Sequence, residues 1–338
     1  LFFAADSVVT SYSELNSMRQ LRAMVELAET GDPLTETLQK ERGRSAVFLA
    51  SKPGTDDARQ AGTNLAEQRR QTDARIDDYQ LGIEALMARV SFDSAVETSI
   101  REVRQGLAKL DTLRNSIDNR SLAPGDSASR YTAMIMELVN RIALIIRRST
   151  DPELTRDVNA YYALAELAER AGRERAVGAS LIRSGNFDLP TLRKIAGLEG
   201  QQDAYFNEAL AMLNANESLR TILEEQPAGA ASQSLEQKRE TLFSSPSGMY
   251  ALDASDWFAT TTQRIGELNN VRKGMLAEVL ALATAGVKDA RNDLIMVSAI
   301  SAGAVLAVLV LMLVIIRAIN LQVGRLLEGV RFAMDNKD

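Results

Sequence analysis

Two short segments place an arginine where a helix should be apolar. Glu41-Arg42-Gly43 and Glu174-Arg175-Ala176 both lie in stretches with helical periodicity. The positions one and two helical turns away from each arginine hold mostly small or apolar side chains. These are Leu38, Ser45 and Leu49 around Arg42, and Ala171, Gly178 and Ile182 around Arg175. A guanidinium facing the core of a helical bundle is costly unless an anion or a carboxylate meets it. The pattern predicts either a buried pocket for a small anion or a buried ion pair.

The two segments belong to a longer internal repeat. Gln68 follows Glu41 by 27 residues, and Gln201 follows Glu174 by 27 residues. Each interval contains a turn signal, at 52–56 in the first copy and at 184–188 in the second. We expect two helical hairpins, each carrying its arginine on the first arm.

Two further arginines lie on apolar stripes and join the candidate site. Arg239 falls between Leu235 and Leu242, and Arg264 shares a stripe with Trp257 and Leu268. We therefore take Arg42, Arg175, Arg239 and Arg264 as candidate anion-binding residues. The alternative is a set of Arg–carboxylate pairs that fix helix register, since bidentate guanidinium geometry suits both roles. Arg44 and Arg173 lie off the stripes and are expected to be solvated, while Trp257 is expected to pack between helices.

The composition excludes several classes of function. The 338 residues contain no histidine and no cysteine, which rules out His-based metal sites, Ser-His-Asp triads and disulfides. A net charge of −6 without a basic face argues against nucleic acid as a partner. No pair of carboxylates has a spacing that suggests acid–base catalysis. We expect no enzymatic activity and no cofactor.

Helical periodicity and the scarcity of proline predict an all-α fold. Predicted helices cover residues 5–30, 32–51, 56–90, 94–119, 131–148, 151–183, 188–214, 233–243 and 253 onward. Asp32-Pro33 is a signal for a new helix start. Antiparallel helices with short connections form up-down bundles, so we predict two four-helix bundles side by side. The long last helix is predicted to continue into the membrane.

The stretch 294–316 is uncharged and, at about 23 residues, long enough to cross a bilayer. Residues 1–292 would then form an extracytoplasmic sensor region, and 293–316 a transmembrane helix. The apolar start at 1–5 is interpreted as the end of an earlier transmembrane helix, although an apolar start to a soluble helix is the alternative. Residues 317–338 resemble the first helix of a HAMP signal-relay module, with Gln322 in place of the usual proline.

Several of these features together resemble the NIT family of nitrate- and nitrite-sensing domains. The resemblance rests on Gln39–Gly43, Gln68, Thr72-Asp73, Tyr131, Glu174–Ala176, Gln201, Trp257 and Arg264-Ile265. It covers roughly residues 30–275. It implies an all-helical domain of two four-helix bundles that binds nitrate or nitrite through arginines. Arg42 and Arg175 match the family's Glu-Arg positions, and Arg239 is a further match.

The resemblance leads to a functional expectation. The chain would be the sensor region of a bacterial chemoreceptor or sensor kinase in the inner membrane, with the sensor on the extracytoplasmic side. Nitrate or nitrite would neutralise the arginines and draw their helices together, and the receptor analogy implies a homodimer. Rival interpretations are a receptor for a small carboxylate or for a periplasmic protein, and a membrane-tethered bundle without a ligand. The output could be a chemotaxis rod, a kinase or a cyclic-nucleotide enzyme.

Overall fold

The structure, a computed structural model, describes residues 2–149, 151–186, 188–213, 217–245 and 250–335. These residues are almost entirely helical and contain no strand, so the predicted all-α class is confirmed. The α-helices are α1 (Phe2–Ala50), α2 (Asp56–Met87), α3 (Ser94–Leu107), α4 (Leu110–Asp118), α5 (Pro124–Asn140), α6 (Ile142–Arg148), α7 (Pro152–Ser184), α8 (Leu189–Met212), α9 (Glu217–Glu225), α10 (Ala230–Phe243) and α11 (Ala254–Asp335).

Helix starts are set mainly by local side chains. Thr55, Asp93, Asp151 and Asp188 each cap a helix by accepting hydrogen bonds from backbone N–H groups of its first turn. The end of α7 is also locally encoded, because Gly185 adopts a left-handed conformation with φ 64°. Phe187 of the second predicted turn lies outside the described residues, as do Asn214 at the end of the predicted helix 188–214 and residues 336–338 of the predicted relay helix.

The predicted helix boundary at Asp32-Pro33 is wrong. Helix α1 is 49 residues long and continues through Pro33 without a break. The Asp32 side chain does not cap a new helix; it pairs with Arg272 of α11 and accepts a hydrogen bond from Tyr161 of α7 at 3.1 Å. A buried ion pair between distant segments therefore overrides a local helix-start signal.

Other boundaries differ in smaller ways. The predicted helix at 94–119 is broken after Leu107, giving α3 and α4, and the stripe at 131–148 is divided between α5 and α6 at Arg141. The predicted short helix at 233–243 begins earlier, at Ala230, and α9 precedes it.

Two buried glutamates mark the two halves of the helical core. Glu41 of α1 binds Arg114 of α4 and Tyr131 of α5. Glu174 of α7 binds Arg239 of α10, and also Gln202 of α8. Each half is therefore a helical bundle with an acidic residue of a Glu-Arg motif at its centre.

The chain divides into two compact units, described separately. One comprises residues 20–284 and contains the buried core. The other comprises residues 1–19 and 285–338, in which the described parts belong to α1 and α11. Its apolar side chains between Ile295 and Ile316 are largely exposed. Among the described residues, α11 is the helix that is long and apolar enough to cross a membrane.

Candidate functional site

The arginines of the two Glu-Arg motifs are both fully buried, as their positions on apolar stripes predict. Arg42 and Arg175 each retain 1% exposure. Arg42 projects from α1 and Arg175 from α7, and the positive charge of Arg42 helps to lower the pKa of Arg175. The two cations therefore lie close enough to repel each other inside the core.

Arg42 is held by a carboxylate. Its Nη1 donates to Glu169 Oε1 at 2.6 Å and its Nη2 to Glu169 Oε2 at 3.1 Å. Nη1 also donates to Thr132 Oγ1 at 2.8 Å. The Nε–H of Arg42 is buried without a partner among the described residues. Arg42 is thus ion-paired on one side and still has a free donor.

Glu169 is a central residue that sequence reasoning missed. It is fully buried and accepts hydrogen bonds from Gln39 Nε2 at 3.0 Å and Arg173 Nε at 2.7 Å, besides those from Arg42. Burial alone would raise its pKa, but Arg42 and Arg173 outweigh burial and hold the pKa below its usual value. Glu169 is therefore ionised and neutralises one of the guanidinium groups around it.

Arg175 has no carboxylate partner among the described residues. Its Nη1 donates to Thr262 Oγ1 at 3.0 Å and its Nη2 to the backbone oxygen of Gln39 at 3.0 Å, and its buried Nε–H has no partner. Burial, followed by repulsion from Arg42 and Arg44, lowers the pKa of Arg175 to about 9. A guanidinium has five N–H donors, so Arg175 retains donors for an added anion.

The contact between α1 and α7 is reciprocal and depends on glycine. A Cβ at Gly172 of α7 would lie 2.9 Å from Arg42 Nη2. A Cβ at Gly43 of α1 would lie 3.5 Å from Arg175 Nε and 2.7 Å from the ring of Phe258. Each arginine therefore packs over a glycine of the opposite helix. An added Cβ would displace Arg42 at Gly172, and at Gly43 it would displace the ring of Phe258.

Arg239 and Arg264 occupy different settings. Arg239 forms a bidentate pair with Glu174, with Nε–Oε1 at 2.7 Å and Nη2–Oε2 at 2.8 Å, and Glu174 raises its pKa against the effect of burial. Arg264 donates to Gln202 Oε1 at 2.6 Å, and burial together with the nearby Arg239 lowers its pKa. Arg239 is thus already neutralised, whereas Arg264 is bound by a neutral amide.

Two details of the predicted site are corrected. The second copy of the repeat uses Gln202, which donates to Glu174 Oε2 at 2.7 Å, whereas Gln201 is exposed. The expectation that Arg44 and Arg173 are solvated is also wrong. Arg44 is half-buried against the ring of Phe258, and Arg173 pairs with Glu169.

Trp257 is fully buried, as expected for a packing residue. Its indole lies against Gly178 of α7, where an added Cβ would clash with the ring. Since this is the only tryptophan of the chain, it is a natural fluorescent reporter in the same hydrophobic core as Phe258.

Around Arg175 the described side chains carry an excess of positive charge. The charged groups that act on Arg175 are the guanidinium groups of Arg42 and Arg44 and the carboxylate of Glu169, so together with Arg175 they carry a formal charge of +2. No cluster of acidic residues within the described ranges could hold a metal ion. The arrangement is suited to binding a small anion.

Comparisons with known proteins agree with this chemistry. Residues 33–280 match the family described as nitrate and nitrite sensing, NIT, which confirms the resemblance inferred from the sequence. A nitrate regulatory protein of Klebsiella oxytoca is 25% identical over 272 residues; the match covers 79% of this chain and 65% of that protein's length. The solved structure of the NasR transcription antiterminator has a similar fold, with a TM-score of 0.70 at 22% identity, covering 85% of this chain and 79% of that one.

Proposed function

Because this chain belongs to the NIT family of nitrate- and nitrite-sensing domains, we propose that Arg42, Arg175, Arg239 and Arg264 serve a site for nitrate or nitrite. We further propose that the domain is the sensor region of a bacterial transmembrane receptor. This region has no catalytic activity of its own and needs no cofactor. Its task is to convert anion binding into a conformational change.

The buried and unpaired Arg175 carries the proposal. A guanidinium deprived of water is costly unless an acceptor compensates it, and its Nε–H has none. Nitrate and nitrite are small, planar and singly charged, and their oxygens match the planar donors of arginine. An anion at Arg175 would also reduce its repulsion with Arg42.

The four arginines contribute in different ways. Arg175 provides the uncompensated charge, and Arg42 adds its free Nε–H while remaining paired with Glu169. Arg264 is another cation that is not hydrogen-bonded to a carboxylate, since it donates to the amide of Gln202. Arg239 acts mainly through Glu174, whose position it fixes.

Isothermal titration of the full chain in detergent tests the ligand. Nitrate and nitrite should release or absorb heat with 1:1 stoichiometry, whereas chloride and sulfate should give none in the same range. Acetate tests the rival interpretation, in which the chain is a receptor for a small carboxylate. Absence of any response to nitrate and nitrite would remove the proposed ligand, and a response to acetate alone would favour the rival.

The receptor assignment rests on the exposed apolar part of α11. The stretch 294–316 meets the length and composition of a membrane span, and an exposed apolar helix of this length is unfavourable in water. We place this span in the inner membrane with the sensor outside the cytoplasm. The segment 317–338 would begin a HAMP-like relay, and the receptor would act as a homodimer.

Cysteine labelling tests this topology, because the chain contains no cysteine. Ser129→Cys and Gly329→Cys, both at exposed positions, are compared in intact cells with a membrane-impermeant maleimide. We expect labelling of the first variant only. Equal labelling of the two, or labelling of neither before the cells are lysed, would contradict the proposed topology.

The relatives favour a second candidate for the output. One is named a nitrate regulatory protein and another a transcription antiterminator, so the domain could control an attached regulator of gene expression. The two candidates differ in where the chain resides. Recovery of the full chain in the soluble fraction without detergent would favour the regulator, and recovery with the membranes would favour the receptor.

A further inference from the structure

Arg44 and Arg175 share one aromatic ring. The guanidinium carbon of Arg44 lies 4.2 Å from the centroid of the Phe258 ring, and that of Arg175 lies 4.8 Å from it. Neither arginine forms an ion pair with a carboxylate of the described residues, and burial lowers the pKa of Arg44 as well as that of Arg175. Two uncompensated cations are thus held on the same ring, about 9 Å apart at most.

The glycine of the first Glu-Arg motif leaves room for the Phe258 ring at this place. A Cβ at Gly43 would lie 2.7 Å from Phe258 Cε2, which is closer than carbon atoms approach. Gly43 lies directly before Arg44 in α1, so the chain leaves space for the ring beside the second cation. Like charges at this separation repel each other, while each is attracted to the face of the ring.

A small cavity lies at Arg44. Its volume is about 70 Å³, and it is lined by Arg44 and Phe258 together with polar side chains of α2 and α11, including Gln60, Asn64 and Ser255. Such a space holds a few water molecules or one small anion, and is far smaller than a metabolite site. Two other charged residues line the cavity, Arg183 and Asp57, and they pair with each other at 2.8 Å, so the charge of Arg44 is left without a partner in the wall.

We propose that Arg44 is a further anion-binding residue, which receives a small, singly charged oxyanion in this cavity, on its own side of the Phe258 ring that it shares with Arg175. Phe258 is the shared wall between the two guanidinium groups. This inference rests on the proposed nitrate and nitrite site and adds a residue that the Glu-Arg motifs do not contain. It also explains why Arg44 is half-buried without a carboxylate partner.

Nitrate titration of the full chain in detergent, followed by the fluorescence of Trp257, tests the inference. Arg44→Gln should weaken the apparent affinity at least tenfold, because a charged donor is lost. Arg44→Met keeps an apolar chain against the ring and should weaken it equally, while Arg44→Lys keeps the charge and should remain within about threefold of the wild type. Arg59→Gln, which alters an exposed arginine outside the cavity wall, is the control and should change the affinity less than threefold.

The outcomes separate the two proposals. If the wild-type chain does not respond to nitrate or nitrite, the proposed function fails, and this inference fails with it. If the wild type responds and both neutral variants at Arg44 bind as it does, Arg44 is not a ligand residue, although the proposed function stands. Should Arg44→Gln not fold, the comparison of Arg44→Met with Arg44→Lys decides, since equal affinities would overturn the inference.

Discussion

Arg175→Met should make the protein insensitive to nitrate at little or no cost in stability. Burial and neighbouring charges lower the pKa of Arg175 from 12.5 to about 9. Since one pKa unit corresponds to about 1.4 kcal/mol, the charged guanidinium costs the ligand-free fold roughly 5 kcal/mol. Replacing it with methionine removes this cost but loses the hydrogen bonds to Thr262 and to Gln39, each about 1–3 kcal/mol. The free energy of unfolding should therefore change little, between a loss of about 1 kcal/mol and a gain of about 3 kcal/mol.

The small size of this effect distinguishes a binding residue from a structural one, because breaking a buried ion pair costs about 3–5 kcal/mol. Nitrate at 100 times its Kd should stabilise the wild type by about 2.7 kcal/mol and the variant not at all. Urea denaturation of the full chain in detergent, followed by Trp257 fluorescence with and without nitrate, measures both quantities. Arg59→Gln, which alters an exposed arginine paired with Asp56, is the control and should leave both unchanged. A destabilised Arg175→Met protein that still gains stability from nitrate would refute the reasoning.

Three further perturbations give distinct outcomes. Arg239→Met should lower the free energy of unfolding by about 3–5 kcal/mol in urea denaturation, because it leaves the buried carboxylate of Glu174 unpaired; an unchanged midpoint would contradict this. Gly43→Ala should cost about 1–3 kcal/mol in thermal unfolding and weaken nitrate binding, whereas Gly197→Ala, where the added methyl meets open space, should not destabilise. Nitrate affinity should be constant from pH 6 to 8 and decline by up to tenfold per unit above about pH 9, as Arg175 loses its proton; calorimetry at several pH values checks this.

The predicted loss of nitrate affinity at alkaline pH has a counterpart in the pH dependence of stability. The folded-state pKa of Arg175 is depressed relative to the unfolded chain, so between about pH 9 and 12.5 the unfolded state binds the extra proton. Stability from this group therefore rises with pH across that window, and the full cost is present below it. Ligand-free protein should gain from deprotonation of Arg175 under the same conditions in which nitrate binding weakens.

The burial of the Glu-Arg motifs could be predicted because it follows from local periodicity. Arg42 and Arg175 lie on apolar stripes, and a stripe determines which helix face is inside. The one-residue error between Gln201 and Gln202 has the same origin, since one step along a helix rotates a side chain by about 100°. The pattern locates a buried face well and a single position on it less well.

Partners that are distant in the chain could not be predicted in this way. Arg44 contacts Phe258 of α11, and Asp32 pairs with Arg272, which lies 240 residues later. No local pattern encodes such contacts, and at Asp32 the local pattern pointed to a helix start instead. Glu169 had a weak signal, because it is an acidic residue among the small residues of α7, such as Ala168 and Gly172, and a carboxylate there needs a cation.

The reciprocal packing of α1 and α7 gives the anion a means of acting on the fold. Arg175 of α7 donates to the backbone oxygen of Gln39 in α1, and Arg42 of α1 pairs with Glu169 of α7. An anion that changes the position or charge of Arg175 therefore changes the contact between these helices, because Arg175 is hydrogen-bonded to the backbone of α1. A ligand shifts such an equilibrium only by its differential affinity for two states, typically about 1–3 kcal/mol. The roughly 5 kcal/mol held at Arg175 is large enough to supply that difference.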